Sequence, residues 1–182
     1  MIRTFSRLAR AALFAAAAVI GFSPVMAAES PKLLGAYRDW SAYRIETGGH
    51  KVCYVLSQPK STSPKDVKRD PIFFLVSNWP ERKAKGEPEV VPGYPYKDGS
   101  KVTAEVGSDK FTFFTQNDAS DGSDGDAWVE SLADEARLVE AMRRGARMTV
   151  TGTSSRGTLT KDVYSLSGVS AALDRINKAC GM

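Results

Sequence analysis

Apolar and polar residues alternate with a period of two over several stretches of this chain, and short turn-forming clusters separate those stretches. Trp40 to Glu46 and Val52 to Gln58 flank Thr47-Gly48-Gly49-His50, which predicts a hairpin whose glycines supply positive φ. Ile72 to Trp79 (IFFLVSNW) is apolar enough to be a buried strand. Beyond the turn at Lys97-Asp98-Gly99-Ser100, Val102, Ala104 and Val106 alternate with Thr103 and Glu105, and Gly107 to Lys110 turns the chain into Phe111 to Thr115. Arg147 to Thr153 and Leu159 to Ser165 read as two further strands around the polar Ser154-Ser155-Arg156-Gly157 turn. Pro59 to Pro71 reads as a polar connection. Pro80 to Pro95, with four prolines among charged residues, is expected to be largely irregular.

Two stretches follow the helical period instead. Ser131 with Asp134 three residues on resembles a capping box, Leu132, Ala136, Val139 and Met142 fall near one face, and Gly145 stands where a C-terminal cap belongs. A second helix, about Ser170 to Lys178, turns Ala172, Leu173 and Ile176 inward and brings Cys180 to its end. With strands this dominant and no internal repeat, the expected fold is mainly β: an antiparallel β-sandwich with two peripheral helices.

The beginning of the chain obeys a different pattern. Arg3, Arg7 and Arg10 precede the uncharged run Ala11 to Phe22, and Ser23, Pro24, Ala27 and Ala28 follow. The run is too short to span a bilayer and has the layout of a cleavable secretory signal peptide, residues 1–28, removed at Ala27 or Ala28. A single domain of residues 29–182, about 155 residues, has the size to bury a real core. Loss of the leader lowers the formal net charge from +4 to +1, so the basic isoelectric point gives no reason to expect a nucleic-acid partner. Lys65, Lys68 and Arg69, like Arg82, Lys83 and Lys85, read as solvated surface. The two cysteines, Cys53 and Cys180, would enter an oxidising compartment, where an even pair without a CxxC spacing points to a structural disulfide. Periplasmic or secreted location follows from the leader, and no transmembrane segment is expected in the mature chain.

A search for catalytic chemistry returns little. The sole histidine, His50, stands in the Gly-Gly turn, where solvation accounts for it better than a Ser-His-Asp or Cys-His mechanism. Ser57 and Lys60 form an SxxK, but Pro59 between them prevents the helix that would align the two side chains. Asn117 to Asp126 (NDASDGSDGD) holds four aspartates, yet no register places acidic or amide ligands at the positions an EF-hand needs. No catalytic, cofactor or metal-binding residues are assigned on these grounds.

Asp39-Trp40-Ser41, the strand Val52-Cys53-Tyr54-Val55-Leu56-Ser57-Gln58 and the stretch Tyr164-Ser165-Leu166-Ser167-Gly168-Val169-Ser170-Ala171-Ala172-Leu173 resemble the invasion-associated locus B family. The chain departs from the commoner pattern in having no further cysteine close after the Trp and no Cys pair in mid-chain. The resemblance implies an exported, non-enzymatic envelope protein that binds a macromolecular partner in host-cell or cell-envelope contact. The competing class is a small-molecule or metal-binding periplasmic module using the Asp-rich loop or an aromatic cleft near Trp79, Tyr94 and Tyr96. A small hydrolase comes third.

Overall fold

The computed structural model describes residues 30–116 and 125–182; the signal-peptide reading and most of the Asp-rich stretch lie outside them. Eleven strands form one antiparallel sheet: β1 Lys32–Tyr37, β2 Trp40–Thr47, β3 His50–Ser57, β4 Ser61–Ser63, β5 Phe73–Trp79, β6 Ala84–Val91, β7 Val102–Val106, β8 Asp109–Gln116, β9 Asp126–Val129, β10 Arg147–Thr153 and β11 Leu159–Ser165. The α-helices among the described residues are α1, Leu132–Arg144, and α2, Val169–Cys180.

The order across the sheet is β1-β2-β3-β5-β6-β9-β8-β7-β10-β11-β4. Strand β4 follows β3 directly beyond Pro59, so the chain itself carries the third strand of the order across to its far end, and the sheet closes on itself from β3 to β11, with β1 and β2 extending beyond the closure. Lys60 donates from its backbone to Val163, and Ser61 to Ser63 pair with β11. Side chains from strands far apart in the order therefore meet inside. Phe74 of β5 makes edge-on contacts with Trp40 of β2, Phe113 of β8 and Tyr164 of β11, at centroid distances of 6.4, 6.3 and 5.8 Å. A flat sheet could not bring those rings together, so two layers face each other across one core, as the alternation predicted.

Gly86 explains how β6 survives its proline, Pro88. It has φ of +75° and stands unpaired between Ser77↔Glu87 and Asn78↔Lys85, a bulge that offsets the register by one residue. Pro88 then faces inward, and the ladder to β9 includes Glu89 and Val90. The expectation of irregular backbone over 80–95 is thus corrected: a proline needs only a place where its missing N–H is not required, and the bulge and the short β9 ladder provide it. The polar connection 59–71 likewise contains β4.

Helix α2 lies on the layer formed by β1, β2, β3 and β5, and α1 on β6, β8 and β9. Ser131 Oγ accepts from the Asp134 N–H, as the capping box requires. The buried stripe of α1 is Leu138, Ala141 and Met142, whereas Leu132 is 79% exposed. The face expected from sequence was rotated, because the first turn of α1 projects past the sheet and only its second half reaches the core. Gly145 follows α1 in extended conformation with φ of −83°, and it is glycine for space: a Cβ there would stand 2.4 Å from a Val106 methyl. In α2, Ala172, Leu173 and Ile176 are buried as expected, together with Val169 and Cys180. The buried residues of both helices join the one core cluster.

Candidate functional site

Cys53 and Cys180 are joined by a disulfide with Cα atoms 6.0 Å apart, and both are buried. Alternation along β3 turns Cys53 to the inner side with Val55, and the last turn of α2 brings Cys180 onto it. Beside them Asn78, across from Cys53 in the ladder, accepts from the Gly86 N–H at 2.8 Å through Oδ1 and donates to Asn177 Oδ1 at 2.8 Å through Nδ2. Neutral amides thus satisfy the bulge and tie β5 to α2. This end of the molecule is a structural joint.

The SxxK residues and the lone histidine have plain roles. Ser57 is buried and donates to the Asp39 carbonyl at 2.7 Å, while Lys60 pairs with the Asp39 carboxylate. They pin the entrance of β2 to the exit of β3 rather than facing each other. His50 is exposed at the start of β3, opposite Thr47. Arg82 lies over the Trp79 ring at 4.3 Å and pairs with Glu87 at 3.3 Å.

The proposed aromatic cleft of Trp79, Tyr94 and Tyr96 does not form. In the β5–β6 hairpin Trp79 pairs with Ala84 at one end and Phe73 with Val91 at the other, and Tyr94 follows Val91. Six residues of strand, about 20 Å at roughly 3.3 Å each, separate Trp79 from the tyrosines. Tyr94 and Tyr96 do meet, edge to face at 5.3 Å.

Around Tyr94 the structure has its most elaborate polar cluster. Arg69, read from sequence as solvated surface, has a side chain only 6% exposed and is paired bidentately with Asp162 of β11, itself 3% exposed, at 2.7 Å through both Nη atoms. Its Nε and Nη2 also donate to the Pro92 carbonyl, and its guanidinium lies 4.8 Å from the Tyr94 centroid. Burial alone would lower the Arg69 pKa, but the hydrogen bonds and charge of Asp162 outweigh it and hold the group firmly protonated. Tyr94 and Thr160 share a hydroxyl hydrogen bond, and Thr160 donates to the Gly152 carbonyl. Burial raises the Tyr94, Tyr96 and Tyr164 pKa values, so the phenols stay neutral. The signal missed in the sequence was the pairing of a loop arginine with an inward-facing aspartate in an otherwise apolar alternation at Asp162.

Above this floor lies a cleft of about 410 Å³ bounded by residues 67–70, by 93–95 and by the 154–160 turn. Close backbone crossings fix its walls. Gly93, at φ of +72°, passes so near Asp70 that a Cβ would lie 2.2 Å from the Asp70 carbonyl oxygen, and Asp70 N–H donates to Gly93 O at 3.0 Å. Ser154 Oγ accepts from the Thr158 N–H and Ser155 N–H donates to Pro95 O, which holds the turn.

On the outer face of β6, Glu89 stands between Leu75 and Trp128 and shares a hydrogen bond with Asp126. Burial, then the neighbouring Asp126 charge, raises its pKa to about 7. Among the described residues no group of three or more His, Cys, Asp or Glu is placed to hold a metal ion, and no helix is long and apolar enough to cross a membrane.

Comparison with known proteins agrees with the architecture. The family model described as invasion associated locus B (IalB) protein matches residues 40–177. The crystal structure of invasion associated protein B from Bartonella henselae superimposes with a TM-score of 0.56 at 17% identity, covering 80% of this chain and 95% of that one. No curated protein matches the sequence.

Proposed function

Since the chain belongs to the invasion associated locus B family, we propose that it is exported and works by binding a macromolecular partner at the cell envelope or on a host cell, without catalysing a reaction. The buried Cys53–Cys180 disulfide carries the export reading, because such a bond forms and persists outside the reducing cytoplasm. Binding is favoured over catalysis by how the polar groups are used. Ser57 and Lys60 are spent on Asp39, and the buried Arg69–Asp162 pair on each other and Pro92. The name of the Bartonella relative supplies the context of invasion.

Fractionation and affinity capture test the proposal. The protein should be recovered from periplasm or medium with Ala28 or Glu29 at its N-terminus, and as bait it should retain a reproducible macromolecule from envelope extract or host-cell surface. Recovery from the cytoplasm with Met1 intact would refute export. The small-molecule or metal reading is favoured instead if millimolar calcium raises the melting temperature by several degrees, since a ligand bound only by the folded state must stabilise it.

A further inference from the structure

The cleft over Arg69 has a floor whose polar groups are satisfied and a rim whose polar groups are idle. In the floor, Arg69, Asp162, Tyr94, Thr160 and Ser154 all have hydrogen-bond partners within the protein. On the rim, the cations of Lys68 and Arg156, the carboxylate of Asp70 and the hydroxyls of Ser155 and Thr158 make no hydrogen bond or ion pair with any described residue, although all five line the cavity. The floor fixes the shape, and the rim is left to bind.

From this arrangement we infer that the cleft is a binding site for a monoanionic saccharide unit, one sugar carrying a single carboxylate or phosphodiester. Size, charge and donor set each narrow the class. A cavity of about 410 Å³ lies near the lower end of the range for small-ligand sites, roughly 300–1,000 Å³, which suits one sugar rather than a folded peptide. Two cations and one carboxylate give the rim a net charge of +1, which one anionic group neutralises. A second negative charge would face Asp70. Asp70 brings a carboxylate acceptor to the rim, and Ser155 and Thr158 bring hydroxyls that can donate or accept, the complement of a ring of hydroxyls. The backbone walls are already in place: the Gly93–Asp70 crossing, the Arg69–Asp162 pair and the Ser154–Thr158 bond hold them without a ligand, so only the rim side chains have to be ordered on binding.

The inference rests on the binding reading and names the chemistry of that partner's contact. It is tested on the mature protein by amide chemical-shift titration with methyl glucuronoside for the carboxylate, the methyl phosphodiester of glucose 6-phosphate for the phosphodiester, and methyl glucoside and glucose 6-phosphate as controls. The expected result is saturable shifts confined to 67–70, 93–95 and 154–160 with one of the two monoanions, which also tells the two sources apart, and binding at least about tenfold weaker with neutral glucoside, the worth of one charge-assisted contact. Lys68→Met and Arg156→Met should each weaken the monoanion about tenfold at an unchanged melting temperature, because both side chains are exposed and neither makes a hydrogen bond or ion pair with a described residue. Asp70→Asn should improve glucose 6-phosphate relative to the monoanion. Absence of saturable shifts, equal binding of glucoside and glucuronoside, or indifference to both cation variants would overturn the inference. If affinity capture succeeds while this titration fails, the cleft assignment is wrong and the binding reading stands. If both fail, binding itself is refuted.

Discussion

The two buried polar clusters solve the same problem with opposite chemistry. At the α2 end, a covalent bond and neutral amides join β3, β5 and the helix: Cys53 to Cys180, Asn78 to Asn177 and to Gly86. At the cleft end, a charged pair fastens the 59–71 connection to β11, Arg69 to Asp162, with the Pro92 carbonyl taking two further donors. A neutral joint strands at most an uncharged polar group when part of it is removed. A charged joint leaves an uncompensated ion when half of it goes, so the cleft end is the more fragile to single substitutions even though it is the better suited to hold a fixed electrostatic pattern near solvent.

That contrast can be broken in order of expected effect. Asp162→Ala, which strands the Arg69 guanidinium in the interior, should destabilise the fold by about 3–5 kcal/mol in urea denaturation, while Arg69→Met with Asp162→Leu should cost far less. If the double variant is as unstable as the single one, the pair matters for packing and not for charge. Removing the disulfide should cost about 2–4 kcal/mol without abolishing folding, because a domain of this size retains its core. Cys53→Ser and the double Cys→Ser variant should then melt together, and unreduced protein should show no free thiol. A smaller loss, about 1–3 kcal/mol, is expected for Asn78→Ala, which leaves the Gly86 N–H without its acceptor. Loss of Gly86 protection in amide exchange would tie the effect to the bulge.

Glu89 sharpens the comparison, being a partly buried carboxyl whose neighbour is Asp126 where Asp162 has an arginine. Its folded pKa, about 7, lies above the unfolded value of 4.5. Its proton therefore binds more tightly in the folded state, and the associated stability is present below the unfolded pKa and lost as pH rises from about 4.5 through 7. The loss should be of order 1–2 kcal/mol after allowance for residual solvent exposure. Glu89→Gln should flatten that slope in melting temperature against pH between 5 and 8.

Where backbone and side-chain pattern agreed, the sequence was readable. The Thr47-Gly48-Gly49-His50 turn, the paired strands β10 and β11, the Ser131 cap and the inward face of α2 all follow from local chemistry. Strand β6 was hidden because Pro88 within it and the prolines on either side argue against pairing, and the compensating Gly86 bulge depends on Asn78, eight residues earlier. Strand β4 was hidden because three polar residues have no periodicity to read. In the candidate site, Tyr94 stood out as an aromatic, but Arg69 did not: nothing local says that a loop arginine will be buried 93 residues from its partner. Trp79 and Tyr94, near in sequence, were separated by the length of the hairpin between them.

The closure of the sheet through β3 and β4 has a consequence for timing. Ser61 to Ser63 find their partners in Lys161 to Val163, about a hundred residues later, so the ring stays open until β11 has been delivered. A chain emerging N-terminal end first can form the β2–β3 hairpin early, but Trp40 and Phe74 have no opposite layer until Phe113 and Tyr164 arrive. Assembly is thereby postponed to the last stage of emergence. The interval before closure is when aromatic surface lies open and a holding chaperone would have most to grasp.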